Sequence, residues 1–164
     1  METKKKYRLT DESISYNGIT LHRIEAIKDF GEIKAGTKGG WVEYRYNLSH
    51  CDTCWLSDNA KVYGRANVYG DAKVYGDATV CDEAFVDGNA KVYGNAIVSG
   101  DAAVFGIANV YGDSKVFGFA IVCVYAKVYG NAKVFDHACV QGDAKVCGNA
   151  KVCGKIWIPV EVHN

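Results

Sequence analysis

The chain has 164 residues, enough for one domain, and its 19 basic residues balance its 19 acidic residues. This balance excludes a strong overall field that would attract a nucleic acid or an anionic membrane. The sequence shows no signal peptide and no apolar run long enough to cross a bilayer, so we expect a soluble protein. Seven cysteines, an odd number, are typical of free thiols in a reducing cytoplasm.

The first 45 residues differ from the rest and predict an N-terminal cap. The stretch "ISYNGITLHRIEAI" places Asn17 and Gly18 between two alternating segments, which is a strong signal for a two-residue β-hairpin. Further along, Trp41-Val42 and Trp55-Leu56 resemble irregular versions of the repeat that follows. We expect this segment to cover the open end of a solenoid, where unpaired backbone groups would otherwise recruit another chain.

A six-residue repeat follows the cap. From Asn59 to Gly154 the sequence divides into 16 consecutive units without insertion or deletion. The fourth position is Val in all of them, the second is Ala in 15, and the sixth is Gly in 13. Because Ala and Val alternate with variable residues, they point to one side of a short strand, and Gly followed by Asn or Asp supplies a corner. Three units then form a triangular coil of 18 residues.

This pattern, as in "VYGDAK", resembles the left-handed parallel β-helix of hexapeptide-repeat proteins. The left hand follows from the resemblance alone, since periodicity does not fix it. The leader is also similar to that of uncharacterised bacterial and phage hexapeptide-repeat proteins, some of them labelled as transferases. The predicted fold is therefore an all-β, single-stranded left-handed parallel β-helix over residues 46–154. A β-hairpin cap occupies residues 1–45, and a C-terminal cap occupies residues 155–164, with Trp157 over the last coil.

One predicted face of the solenoid carries no lysine at its outward positions, and the irregular corners lie on its two edges. We call its apolar side chains the apolar face: Phe85, Phe105, Ile107, Phe119, Ile121, Cys123, Val124 and Tyr125. Exposed apolar patches of this size usually mark interfaces. We expect a homo-oligomer, most simply a dimer around a two-fold axis. The alternatives are that a different protein, or a segment of the same chain, packs over this face.

A second face repeats lysine and tyrosine in parallel columns. We call it the lysine–tyrosine face: Lys73, Lys91, Lys127 and Lys145 beside Tyr75, Tyr93, Tyr111 and Tyr129. Stacked tyrosines cover a sheet and lysines discourage aggregation, so the first interpretation is a solvated surface. The alternative is an anion- or nucleic-acid-binding strip, because lysines interleaved with aromatic rings suit phosphates and bases. The zero net charge does not support that alternative.

Signals for catalysis and for metal binding are weak. Many hexapeptide-repeat proteins are acyltransferases that use a histidine, and the resemblance makes His137 the candidate general base. No looped-out segment accompanies it to form a pocket. His50, Cys51 and Cys54 form a metal-like cluster, but a lone Cys-x-x-Cys more often only packs. No phosphate loop, nucleotide fingerprint or nucleophile motif is present, so the sequence predicts no cofactor.

Together these patterns favour a cytoplasmic, non-catalytic binding or scaffolding module that self-associates through the apolar face and has no membrane partner. Blocking a host component, as some phage proteins do, is compatible with the resemblance. Two other hypotheses compete with this one. The first is acyl transfer through His137, and the second is anion or nucleic-acid binding by the lysine–tyrosine face.

Overall fold

The computed structural model describes residues 5–159 and 161–163, and it begins with a β-hairpin. Strands β1 (Tyr7–Tyr16) and β2 (Ile19–Ala26) pair antiparallel, with Tyr16 opposite Ile19. Asn17 and Gly18 have φ angles of 49° and 80°, as a tight primed turn requires. The predicted hairpin is confirmed. Within the described residues, no helix has the length and hydrophobicity needed to cross a membrane.

Strand β3 (Lys38–Val42) joins the hairpin to the solenoid. It pairs antiparallel with β2 and parallel with the first regular coil strand, where Val42 lies beside Val62. Gly39 and Gly40 permit this close approach, because an added Cβ would lie 2.6 Å from the Leu56 carbonyl oxygen and 2.5 Å from that of Ala60. The pair of glycines therefore lets the cap close the first coil.

The coils are built from two-residue strands that recur about every six residues. In chain order they are β4 (Trp55–Leu56), β5 (Lys61–Val62), β6 (Asn67–Val68), β7 (Lys73–Val74), β8 (Thr79–Val80), β9 (Phe85–Val86), β10 (Lys91–Val92), β11 (Ile97–Val98), β12 (Ala103–Val104), β13 (Asn109–Val110), β14 (Lys115–Val116), β15 (Ile121–Val122), β16 (Lys127–Val128), β17 (Lys133–Val134), β18 (Cys139–Val140), β19 (Lys145–Val146), β20 (Lys151–Val152) and β21 (Trp157–Ile158). A 3₁₀ turn occupies Arg45–Asn47. Each strand from β4 to β18 pairs in parallel with the strand 18 residues further on, as Val92 does with Val110. The predicted 18-residue coil is confirmed.

The strands form three sheets around a common core. One has the order β1-β2-β3-β5-β8-β11-β14-β17-β20, the second β4-β7-β10-β13-β16-β19, and the third β6-β9-β12-β15-β18-β21. The first sheet continues into the hairpin cap. The second carries the lysine–tyrosine face and the third carries the apolar face. The molecule is therefore an all-β parallel solenoid with three sides.

The interior is filled by the valine and alanine of every unit. The inward valines from Val62 to Val146 are completely buried, and so are the corner alanines from Ala60 to Ala144. Ser114 is the one departure from alanine, and its hydroxyl donates to the Tyr111 carbonyl oxygen at 2.8 Å. Burying each valine stabilises the fold by about 1.5 kcal/mol or more, so the repeat itself supplies the core.

The C-terminal segment differs from the expected cap. Trp157 does not cover the last coil, because it pairs with Cys139 in the third sheet and points outward with 71% of its surface exposed. Ile158 continues the inward column, and Val162 then forms a parallel bridge with Val146. Pro159 follows the final strand and cannot donate to a further coil. The division of the chain at residues 45 and 154 stays a prediction.

Candidate functional site

The third sheet brings most of the predicted apolar face together at the surface. More than a third of the surface is exposed in six of its side chains: Phe85, Phe105, Ile107, Phe119, Val124 and Tyr125. The Phe85 and Phe105 rings stack with centroids 6.4 Å apart. Ile121 is half-buried, and Cys123 is only 6% exposed, so the expected contribution of Cys123 to the patch is small.

Two further aromatic residues extend this face. Tyr69 is 41% exposed and Trp157 is 71% exposed. Tyr69 could have been recognised from the sequence, since it lies in the same outward column as Phe105. Trp157 lies beyond the last complete unit, but it follows Cys139 by 18 residues, so the register of the repeat continued past Gly154 also places it on this face. Asp87 is the one charged side chain among the ten outward positions from Asn67 to Gln141 on this face.

Val124 occupies a strained backbone conformation at the edge of the apolar face. Its φ is +65°, in the left-handed region, where most other units have glycine and two have Asp82 or Asp136. A β-branched residue is disfavoured there by about 1–3 kcal/mol. Its side chain is 42% exposed, so packing within the chain does little to offset this strain. The backbone ladder is intact, with the Ile107 amide donating to the Val124 carbonyl at 2.7 Å.

The tyrosines of the lysine–tyrosine face form one continuous ladder. The rings of Tyr75, Tyr93, Tyr111 and Tyr129 follow one another at 4.8, 4.9 and 5.0 Å, within 4° of parallel. Each inner ring therefore has both faces covered by neighbouring rings, and only its edge reaches solvent. A nucleobase needs a free ring face to stack on, so the ladder weighs against the nucleic-acid strip, which stays an untested prediction.

His137 lies at an exposed corner of the apolar face. Its ring stacks on Phe119, with centroids 4.9 Å apart and planes 5° from parallel. This contact extends the aromatic surface. The position therefore suits an interface better than general-base chemistry.

The structure gives the three residues of the metal-like cluster, His50, Cys51 and Cys54, different surroundings. Cys54 is completely buried, its Sγ lies 3.2 Å from Lys6 Nζ, and burial raises the pKa of this thiol. His50 stacks on Tyr7 at 4.2 Å, and its Nδ1 accepts from the Lys6 backbone amide at 3.3 Å. Burial lowers the pKa of His50. The Cys51 side chain, in contrast to that of Cys54, is exposed. These residues therefore hold the first strand against the solenoid.

Lys6 is the residue at the centre of that attachment. It is only 1% exposed, and its Nζ donates to the backbone oxygens of Cys51, Asp52 and Cys54 at 3.1, 3.3 and 2.9 Å. The Phe30 ring lies 5.0 Å from the same ammonium. Sequence reasoning missed this role, because the run "KKK" is typical of a solvated surface.

A second polar cluster, which we call the C-terminal relay, comprises Cys147, His163 and Glu161. Cys147 Sγ lies 2.7 Å from His163 Nδ1, and His163 Nε2 lies 3.1 Å from Glu161 Oε1. Lys145 Nζ is 3.7 Å from the same carboxylate. A hydrogen bond with Cys147 raises the pKa of Tyr129 to about 12. Within residues 5–159 and 161–163 this is the one group of three metal-ligand side chains.

The geometry of the C-terminal relay fits a proton relay better than a metal cage. The acid and the thiol contact opposite nitrogens of one imidazole, in the order thiol, imidazole, carboxylate. A tetrahedral zinc ion would hold sulfur and nitrogen about 3.5 Å apart and would use one ring nitrogen only. A nucleophile with a base that is itself oriented by an acid is the arrangement of covalent catalysis. Sequence analysis missed it because residues 161–163 lie outside the repeat.

Comparison with known protein families finds no match. Among curated proteins, the chain is similar to an uncharacterised acetyltransferase, YdcK, of Escherichia coli strain K12. The two are 35% identical over 71 residues, which is 38% of this chain and 22% of that protein. The chain thus spans about a fifth of its relative's length. It is a parallel β-solenoid of hexapeptide repeats with 18 residues in each coil, similar in part to this acetyltransferase.

Proposed function

We propose that this chain is a self-associating β-solenoid whose apolar face binds a second copy of itself. The strained, exposed Val124 carries the proposal. In an isolated chain, glycine at this turn would be more stable than valine. A valine there becomes favourable when its side chain is buried against a partner, because the buried apolar surface then offsets the backbone strain.

A second copy is the occupant that best fits the surface. Asp87 is the one charged side chain among the ten outward strand positions of the face, and the edge residues Arg65 and Glu83 pair with each other at 3.0 Å, so the face offers little unpaired charge for an oppositely charged partner to recognise. It is a parallel sheet in which every strand pairs in the same 18-residue register, so a copy rotated by a two-fold axis presents the same strand spacing. Six coils about 4.8 Å apart, each with a side of one six-residue unit or about 20 Å, give on the order of 500 Å² per partner. This is below the roughly 800 Å² of a standard interface, so we expect a weak dimer.

Charging the centre of the face tests the proposal. We expect the double variant Phe119→Asp/Ile121→Lys to sediment as a monomer at concentrations where the unmodified chain associates. Lysine occupies the position equivalent to Ile121 on the other faces, so the coil should tolerate it. The matched control, Lys127→Asp, changes charge in the same coil on the lysine–tyrosine face and should leave association unchanged. A double variant that is folded by circular dichroism and still associates as before would contradict the proposal.

Acyl transfer is a second candidate function, favoured by the C-terminal relay and by the partial similarity to an acetyltransferase. In this mechanism the Cys147 proton passes to His163 Nδ1 while Glu161 holds the opposite N–H. The sulfur bonds to the carbonyl carbon of an acyl thioester, the donor's carbon–sulfur bond breaks, and the departing thiolate takes the proton from His163 to become a thiol. An acceptor amine then takes the acyl group, and its released proton restores the Cys147 thiol.

Acetyl coenzyme A tests this second candidate. We expect intact-mass spectrometry to show one acetyl group on the chain, absent in Cys147→Ser and formed about 100-fold more slowly in His163→Gln. Cys139→Ser removes a thiol elsewhere and serves as the control. Acetylation at the same rate in His163→Gln, or none in the unmodified chain, would contradict a relay function.

A further inference from the structure

An open cleft of about 540 Å³ lies between the N-terminal cap and the end of the lysine–tyrosine face nearest to that cap, at Tyr75. Ile33 and Trp55 contribute apolar walls, and Tyr75 also lines the space. The cap is tied to the coil here by an ion pair, with Lys73 Nζ 3.3 Å from Glu32 Oε2. The volume lies within the range of about 300–1,000 Å³ that is usual for small-molecule sites.

The cleft exists because the tyrosine ladder stops one step short of the cap. Ser57 occupies the next step, in register above Tyr75, with its amide donating to the Val74 carbonyl at 2.9 Å. The Tyr75 ring stacks on Tyr93 at 4.8 Å on one side. On the other side of the Tyr75 ring, the Ser57 side chain is too short to cover the ring face, and Ser57 and Tyr75 both line the cleft. The ladder therefore ends in a free aromatic face with room for one more ring.

The charges around this ring face favour a cation. Asp71 accepts hydrogen bonds from the Thr53 amide and hydroxyl at 3.1 and 2.6 Å, and these bonds lower the pKa of Asp71, which keeps it ionised. Lys73 is already paired with Glu32. The lining has two carboxylates and one ammonium group, and Asp71 is the carboxylate that forms no ion pair among the described residues. The Lys6 and Lys73 ammonium groups also lower the pKa of Asp71.

We propose that this cleft binds an aromatic amine, with its flat ring stacked on Tyr75 as the next step of the ladder and its ammonium group directed to Asp71. Offset stacking at the ladder spacing supplies the apolar contact, and the unpaired negative charge selects the amine over an acid. The site uses no residue of the apolar face, which it borders at Asn89, and the C-terminal relay lies at the opposite end of the lysine–tyrosine face.

Tyramine is the probe, and 4-hydroxyphenylacetate, which has the same ring but a carboxylate, is its matched control. We expect calorimetry to show tyramine binding at least 10-fold tighter than the acid. Asp71→Asn should reduce this preference several-fold while keeping an acceptor for Thr53. No measurable tyramine binding at millimolar concentration, or equal binding of both probes, would overturn the proposal.

Filling the empty step provides the structural test. Ser57→Tyr extends the ladder into the cleft and should weaken tyramine binding at least 10-fold. Ser99→Tyr introduces the same side chain in a column of another sheet and should leave binding unchanged. If Ser57→Tyr does not fold, Tyr75→Leu removes the ring face instead and should weaken binding similarly. Unchanged tyramine affinity in a folded Ser57→Tyr or Tyr75→Leu variant would contradict a site at this step.

Discussion

Val124→Gly is expected to stabilise the isolated chain by about 1–2 kcal/mol and, at the same time, to weaken its self-association. Glycine adopts the φ of +65° found at this turn without steric cost, whereas valine does not. The same change removes an apolar side chain from the edge of the apolar face. Urea unfolding at low concentration measures the first effect, and sedimentation at high concentration measures the second.

Asp82→Gly is the matched control for this prediction. Asp82 also has a positive φ, 62°, but aspartate tolerates this region better than a β-branched residue. Its carboxylate also accepts a hydrogen bond from the Gly100 amide at 2.9 Å, which glycine would lose. We therefore expect no gain in stability from this control. A Val124→Gly chain that is no more stable than the unmodified one would show that valine is accommodated there without strain.

Of the variants considered, Lys6→Met should cause the largest loss in the free energy of unfolding, about 3 kcal/mol or more. Methionine has nearly the same length but cannot donate to the backbone oxygens of Cys51, Asp52 and Cys54, and the Cys54 oxygen would be left without this donor in a buried site. The cap would then detach from the first coil at lower denaturant concentration. Urea unfolding followed by tryptophan fluorescence measures this effect.

Lys5→Met provides the comparison, because Lys5 is the exposed neighbour of Lys6. We expect its free energy of unfolding to change by less than about 0.5 kcal/mol. If the two variants unfold at the same denaturant concentration, the buried ammonium of Lys6 does not hold the cap in place.

The coil was predictable from the sequence because each repeat unit specifies its own geometry. Val in the fourth position and Ala in the second fix which side of each strand faces the core. The constant length of the unit then fixes the 18-residue register that Val92 and Val110 display. The outward residues could be sorted into faces on the same basis, and this placed Phe85, Phe105 and Phe119 on or beside one surface.

The features outside the repeat could not be predicted in this way. Lys6 lies about 45 residues from the backbone oxygens that it contacts, and His163 lies 16 residues from Cys147 across an irregular segment. No periodic pattern links such pairs, so only the folded chain shows that they meet. Trp157 is a different case, because it pairs with Cys139 in the regular 18-residue register. It was misplaced because it was assigned to a cap and the register was not continued past Gly154.

The central claim is that the apolar face joins two copies of the chain, and the molar mass of the unmodified protein in solution tests it most directly. Light scattering over a wide concentration range should show the mass rising from 17.9 kDa towards twice that value. Because the face is small, we expect the rise in the micromolar range or above. A mass that stays at 17.9 kDa up to the solubility limit would contradict the claim.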